Sequence, residues 1–114
     1  MSIEFRLTVI FYKSESGNEP VREWLKNLPR GDRKIIGEDM KTVQLGWPLG
    51  MPSVRKLDVG LWEVRSKLGN RIARVLFTVE KNVMVLLHGF IKKSEKTPSD
   101  DLNLAKKRLS NLWS

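Results

Sequence analysis

Cysteine is missing altogether from this chain of 114 residues, histidine and tyrosine occur once each, and 13 acidic residues face 21 lysines and arginines. Without cysteine there is no disulfide, no thiolate metal site and no thiol nucleophile. A single histidine, His88, and acidic residues with no ligand-like spacing give no basis for a zinc or calcium site, and nothing calls for a cofactor. No apolar run approaches the roughly 18 residues needed to span a bilayer. The opening "MSIEFRLTVIFYKSE" carries Glu4 and Arg6 and lacks both a basic leader and a small-residue cleavage site, so it reads as a strand rather than a signal peptide. A cytoplasmic location fits these absences. Also absent are the phosphate-binding loop, the dinucleotide-binding turn and the nucleophile elbow. Metal-free chemistry on a bound anion is the main catalytic option left.

The length suits one compact domain, residues 1–114, and 40% hydrophobic with 30% charged residues is ordinary for a folded protein. The net charge of +8 is unevenly placed, because residues 51–98 hold 10 basic and 4 acidic groups. Such a balance suits a polyanionic partner, and it also serves plain solubility.

Ile3 to Tyr12 alternates imperfectly and is rich in β-branched and aromatic residues, which predicts a strand. Asn18 as N-cap, Pro20 in the first turn and an apolar stripe of Val21, Trp24, Leu25 and Leu28 predict a short helix that ends at Pro29 and Gly31. Asp32 then caps a second helix with Ile36, Met40 and Val43 at helical spacing, finishing near Gly46. Residues 46–53, with two prolines and two glycines, form a loop. A short strand near Ser53–Gly60 leads to Leu61–Leu68, Arg71–Glu80 and Val83–Phe90, with turn signals at Gly69-Asn70 and Lys81-Asn82. Thr97 as a cap and Pro98 at the first position open a last helix, with Leu102, Ala105, Leu109 and Leu112 on its buried side. The expected fold is α+β: an antiparallel sheet of four to five strands with an N-terminal helical hairpin and a C-terminal helix.

In Leu61–Leu68 the period of two sets Trp62, Val64, Ser66 and Leu68 on a core face and Leu61, Glu63, Arg65 and Lys67 on the other, read as a solvated face. Arg74 shares a strand face with Ile72, Leu76 and Thr78, so it either packs its stem over a core edge or projects into a concave site. Lys92, Lys93 and Lys96 follow the end of the most apolar strand. Clustered ammonium groups repel one another unless an anion joins them, so their convergence with Arg65 and Arg74 would build a phosphate site, whereas lysines splayed into water would build nothing. His88 sits in an apolar strand and reads as a hydrogen-bonded core or edge imidazole.

Taken together, "VRKLDVGLWEVRSK", "RIARVLFTVEKNVMVLLHGFIKKSEKTP" and the Ala-Lys-Lys-Arg of the last helix resemble the phage-related form of the HigB branch of the RelE/ParE toxin superfamily. The resemblance covers the chain from about Ile3 onward. It implies the toxin of a toxin–antitoxin pair, a metal-independent endoribonuclease that cleaves mRNA on the ribosome by attack of the RNA 2′-hydroxyl. It further implies a small helix-turn-helix antitoxin, HigA-like, in a hetero-oligomeric complex. On this likeness Arg65 and Arg74 are transition-state clamps, and Lys92 and Lys93 bind phosphate or protonate the leaving group. Glu63 is a candidate general base or the orienting partner of Arg65. Lys56 and Arg71 extend the groove, Phe90 stacks a base or closes the core, and Lys96 extends the groove or stays solvated. Two rivals keep the same fold or the same cations: a ParE-like gyrase poison, and a noncatalytic RNA-binding module.

Overall fold

The computed structural model describes residues 6–48, 54–93 and 96–112. Its elements run β1 (Thr8–Phe11), α1 (Pro20–Lys26), α2 (Arg30–Gly46), β2 (Val54–Asp58), β3 (Leu61–Leu68), β4 (Arg71–Glu80), β5 (Val83–Lys92) and α3 (Ser99–Leu112). One five-stranded sheet forms in the order β1-β5-β4-β3-β2. From β2 to β5 it is the expected antiparallel meander, since each connection is a tight turn that can only reverse the chain. Gly60 and Gly69 take positive φ in two of those turns, and Lys81 does so in the third.

The sheet is mostly antiparallel, as expected, and departs from that at β1, which pairs parallel to β5 with Thr8 opposite Val83 and Phe11 opposite Leu86. The sheet is therefore mixed. Two helices and three further strands separate these partners, so no short turn dictates their direction. The strand is also shorter than Ile3–Tyr12: its start lies partly outside the described residues, and Arg6 and Leu7 bond by their backbone N–H groups to the Gln44 carbonyl instead. Helix boundaries move as well. Glu19, not Asn18, is the N-cap of α1, which ends at Lys26, and α2 begins at Arg30 behind Pro29, leaving Asp32 inside its first turn.

Helices cover both faces. On one, Val21, Ile36, Met40 and Val43 from α1 and α2 pack on Val64, Leu68, Ala73, Val75, Phe77, Met84 and Leu86. Gly89 lets α1 lie close, because a Cβ there would stand 2.4 Å from the Trp24 ring. On the other face α3 lays Ala105, with Leu102, Leu109 and Leu112, over Leu61, Leu76, Val85, Leu87 and Phe90. Burying each such side chain stabilises the fold by about 1.5–3 kcal/mol before ordering costs.

The face that Glu63 shares was expected to be solvated, and α3 overturns that. The apolar stripe of α3 was legible, but nothing local told which side of the sheet it would cover.

Strand β5 contains an irregularity that positions its side chains after Leu86. Phe77 is opposite Leu86 and Leu76 is opposite His88, so Leu87 is an extra residue, a β-bulge. Beyond it the alternation changes parity. Leu86 points to the α1–α2 side, whereas His88, Phe90 and Lys92 stand on the α3 side.

Candidate functional site

Cross-strand partners share a face, so the register lays out the α3 side as rows that run across the strands, neighbours within a row about 4.8 Å apart in the pairing direction. One row reads Arg55, Glu63, Leu76, His88; the next Arg65, Arg74, Phe90; the third Lys67, Ile72, Lys92. Arg65 and Arg74 thus stand directly opposite each other, an arrangement that like charges disfavour.

Glu63 resolves that repulsion. Its carboxylate is wholly buried; Oε1 accepts a hydrogen bond from Arg65 Nε at 3.1 Å, and Oε2 lies 3.7 Å from Arg74 Nε. Thr97 Oγ1, from the segment ahead of α3, donates to Oε2 at 2.5 Å. A carboxylate removed from water needs such partners, since desolvation costs several kcal/mol per ion. Of the two guanidinium groups, Arg74 is 0% exposed and Arg65 18%, so only Arg65 opens toward solvent.

A second knot adjoins the first. The Arg74 guanidinium lies 5.8 Å from the centre of the Phe90 ring, and that ring stacks on His88 at 5.4 Å. His88 Nε2 and Asp101 Oδ1 are 2.7 Å apart, while Asp101 Oδ2 lies 3.4 Å from Lys92 Nζ. Asp101 comes from the first turn of α3, so one helix supplies a carboxylate to both β5 groups. The knot joins three cations, Arg65, Arg74 and Lys92, to two carboxylates, and leaves Lys92 half exposed at its outer edge.

Helix α3 is fastened elsewhere too. Arg108 Nη1 donates to the Leu87 carbonyl at 2.7 Å, and its guanidinium lies over the Tyr12 ring. Burial pulls the Arg108 guanidinium below its ordinary value, and the Tyr12 phenol opposes that pull. Lys106 Nζ lies 2.8 Å from Asp58 Oδ2, and this bond, with help from the Val59 N–H, holds the Asp58 carboxyl below the usual range.

The expected site residues divide accordingly. Glu63, Arg65, Arg74, Phe90 and Lys92 come together. Phe90, only 7% exposed, closes the core beneath Arg74 and presents no ring to a base. Lys93 and Lys96 are exposed beside the loop that follows β5.

Two residues expected to extend the groove stand on the opposite face. Lys56 pairs with Trp62 and holds its ammonium 6.0 Å from that ring, and Arg71 pairs with Leu68 and bonds Asp32 of α2 at 3.2 Å. Hairpin register, not residue type, decides this: of neighbours Arg55 and Lys56 only one can face Glu63, and it is Arg55.

Arg55, His88, Thr97, Asp101 and Arg108 were not singled out by the sequence as members of the cluster. The β2–β3 register would have found Arg55; the others depend on where α3 docks. Among the described residues, no group of three or more histidine or acidic side chains converges as a metal site. No helix among them is long and apolar enough to cross a membrane.

The arrangement defines a class: a small α+β domain whose central strands carry a carboxylate-braced arginine pair, one member buried and one open to solvent, with a lysine at its rim. Residues 23–110 match the family described as phage-derived protein Gp49-like (DUF891), and the chain belongs to that family, a family of RelE/HigB-like toxins associated with toxin–antitoxin pairs. No curated protein matches the chain.

Proposed function

We propose that this chain is a HigB-like toxin that arrests translation as a metal-independent mRNA endoribonuclease on the ribosome. The observation that carries the proposal is the meeting of Arg65, Arg74 and Lys92 on one sheet face, the two arginines held by Glu63 and the lysine by Asp101. Cleavage of a phosphodiester builds negative charge on the phosphoryl oxygens, which preplaced cations stabilise, each removed donor costing about 10²–10³ in rate.

The RNA 2′-oxygen attacks phosphorus, the O2′–P bond forms, the P–O5′ bond breaks, and the products are a 2′,3′-cyclic phosphate and a 5′-hydroxyl. Arg65 meets the phosphoryl oxygens with its planar fork. Arg74, buried behind it, lends charge from below, and Glu63 fixes Arg65 rather than taking a proton, because its carboxylate is already engaged by Arg65 and Thr97. His88, oriented by Asp101, accepts the 2′-hydroxyl proton, and Lys92 supplies one to the leaving 5′-oxygen. Arg55, Lys67, Lys93 and Lys96 follow the RNA backbone as point charges.

The protein works in the cytoplasm and is neutralised by a helix-turn-helix antitoxin in a hetero-oligomeric complex. The test is to induce it in a bacterium and map the 5′ ends of messages. New cuts inside translated frames, abolished in Arg65→Ala and Lys92→Ala, are expected. DNA-damage signalling without cuts would instead indicate a gyrase poison, and messages bound but intact would reduce the chain to an RNA-binding module.

A further inference from the structure

We infer that Arg108 is a positioning residue: by holding the Leu87 carbonyl it fixes the bulge that turns His88, Phe90 and Lys92 toward the arginine pair. The functional part of this inference rests on the ribonuclease reading, and the structural part stands alone. Strict alternation from Leu86 would send His88, Phe90 and Lys92 to the α1–α2 side. The unopposed Leu87 cancels that, with Leu86 in one core and Leu87 in the other.

A bulge disrupts the ladder locally, and an unpaired buried carbonyl costs about as much as a lost hydrogen bond. Arg108 Nη1 reaches the Leu87 carbonyl at 2.7 Å, a charge-assisted bond of the stronger kind. Its own place is set from two sides. The guanidinium stands 5.7 Å from the centre of the Tyr12 ring, next to β1, and Asn111 Nδ2 donates to the Tyr12 hydroxyl at 3.4 Å. Ala105, fully buried nearly one turn earlier, lets the helix come close enough for the reach. The helix that covers the cluster therefore also sets which side chains the strand presents to it.

The test compares R108M, R108K and, as a control, K106M, which frees α3 from Asp58 without touching the bulge. Amide hydrogen exchange at residues 87–92 is followed by NMR, alongside cleavage turnover and KM on ribosomes carrying a short message. R108M should speed exchange in that segment alone and lower turnover by about 10- to 100-fold, because a shift of about 1 Å imposed far from the chemistry can cost about 10²-fold. KM should stay near wild type, and R108K, which keeps a charged donor, should recover most of the loss. Should R108M not fold, R108Q serves the same comparison.

Exchange and turnover in R108M matching K106M would overturn the inference. A wild-type protein that cuts no message would overturn the ribonuclease reading instead, while the exchange comparison would still decide whether Arg108 holds the bulge.

Discussion

Thr97 Oγ1 donates a 2.5 Å hydrogen bond to Glu63 Oε2, tying the segment ahead of α3 to the middle of β3. The sequence suggests Thr97 as a helix cap, yet the Leu102 N–H bonds the Pro98 carbonyl and leaves the Thr97 hydroxyl turned toward the sheet. That hydroxyl completes the shell of a carboxylate that already serves two arginines.

Thr97→Val should therefore loosen the start of α3 more than an ordinary surface change. A hydrogen bond to a charged group contributes about 1.5–3 kcal/mol. Urea unfolding should show a lower midpoint with an unchanged slope, and Thr97→Ser should restore it.

Glu63→Gln should be the more damaging substitution, because it leaves Arg74 buried beside a neutral amide. Breaking one side of a buried ion pair costs about 3–5 kcal/mol, because the other charge is left buried and uncompensated. The double variant Glu63→Gln with Arg74→Met should regain much of the loss, and a thermal-unfolding cycle over the four proteins measures the coupling.

The two sheet faces should separate in RNA cleavage. Arg55→Ala, on the row of Glu63, should lower cleavage and flatten its salt dependence. Lys56→Ala and Arg71→Ala, on the opposite face, should leave turnover unchanged, and Arg71→Ala should lose under about 1 kcal/mol with the Asp32 pair.

A pH effect follows from Asp58, whose carboxyl is lowered from 3.8, chiefly by its bond to Lys106. A carboxylate depressed in the folded state adds stability above its ordinary value and loses it as pH falls through the depressed one. The stability difference between wild type and Asp58→Asn should thus be level near neutrality and fade below about pH 4. Acid titrations of both proteins by circular dichroism check this.

Much of the architecture was legible, and for identifiable reasons. The turns at Gly69-Asn70 and Lys81-Asn82 set the meander, and the period of two put Glu63 with Arg65 and Arg74 with Leu76. What escaped was non-local. In "VMVLLHGF" every residue through Leu87 is apolar, so a one-residue slip in parity leaves no trace in the pattern, although it decides where His88 and Lys92 stand. The burial of Glu63 and Arg74 was likewise hidden, since polar residues at alternate positions look solvated until a helix from the far end of the chain covers them. Lys56 and Arg71 were set in the groove by family likeness and stand on the opposite face, because neither charge nor propensity reports which side of a strand a register selects.

The parallel union of β1 with β5 joins the beginning of the chain to nearly its end. During synthesis Thr8–Phe11 emerges long before Val83–Leu86, and among the described residues it has no other strand to join. Such distant partners are slow to meet. Until Val83–Leu86 is in place, Thr8–Phe11 and α3 both lack the strand on which they pack, so the edge of the sheet and the helix over the arginine pair close in one late step.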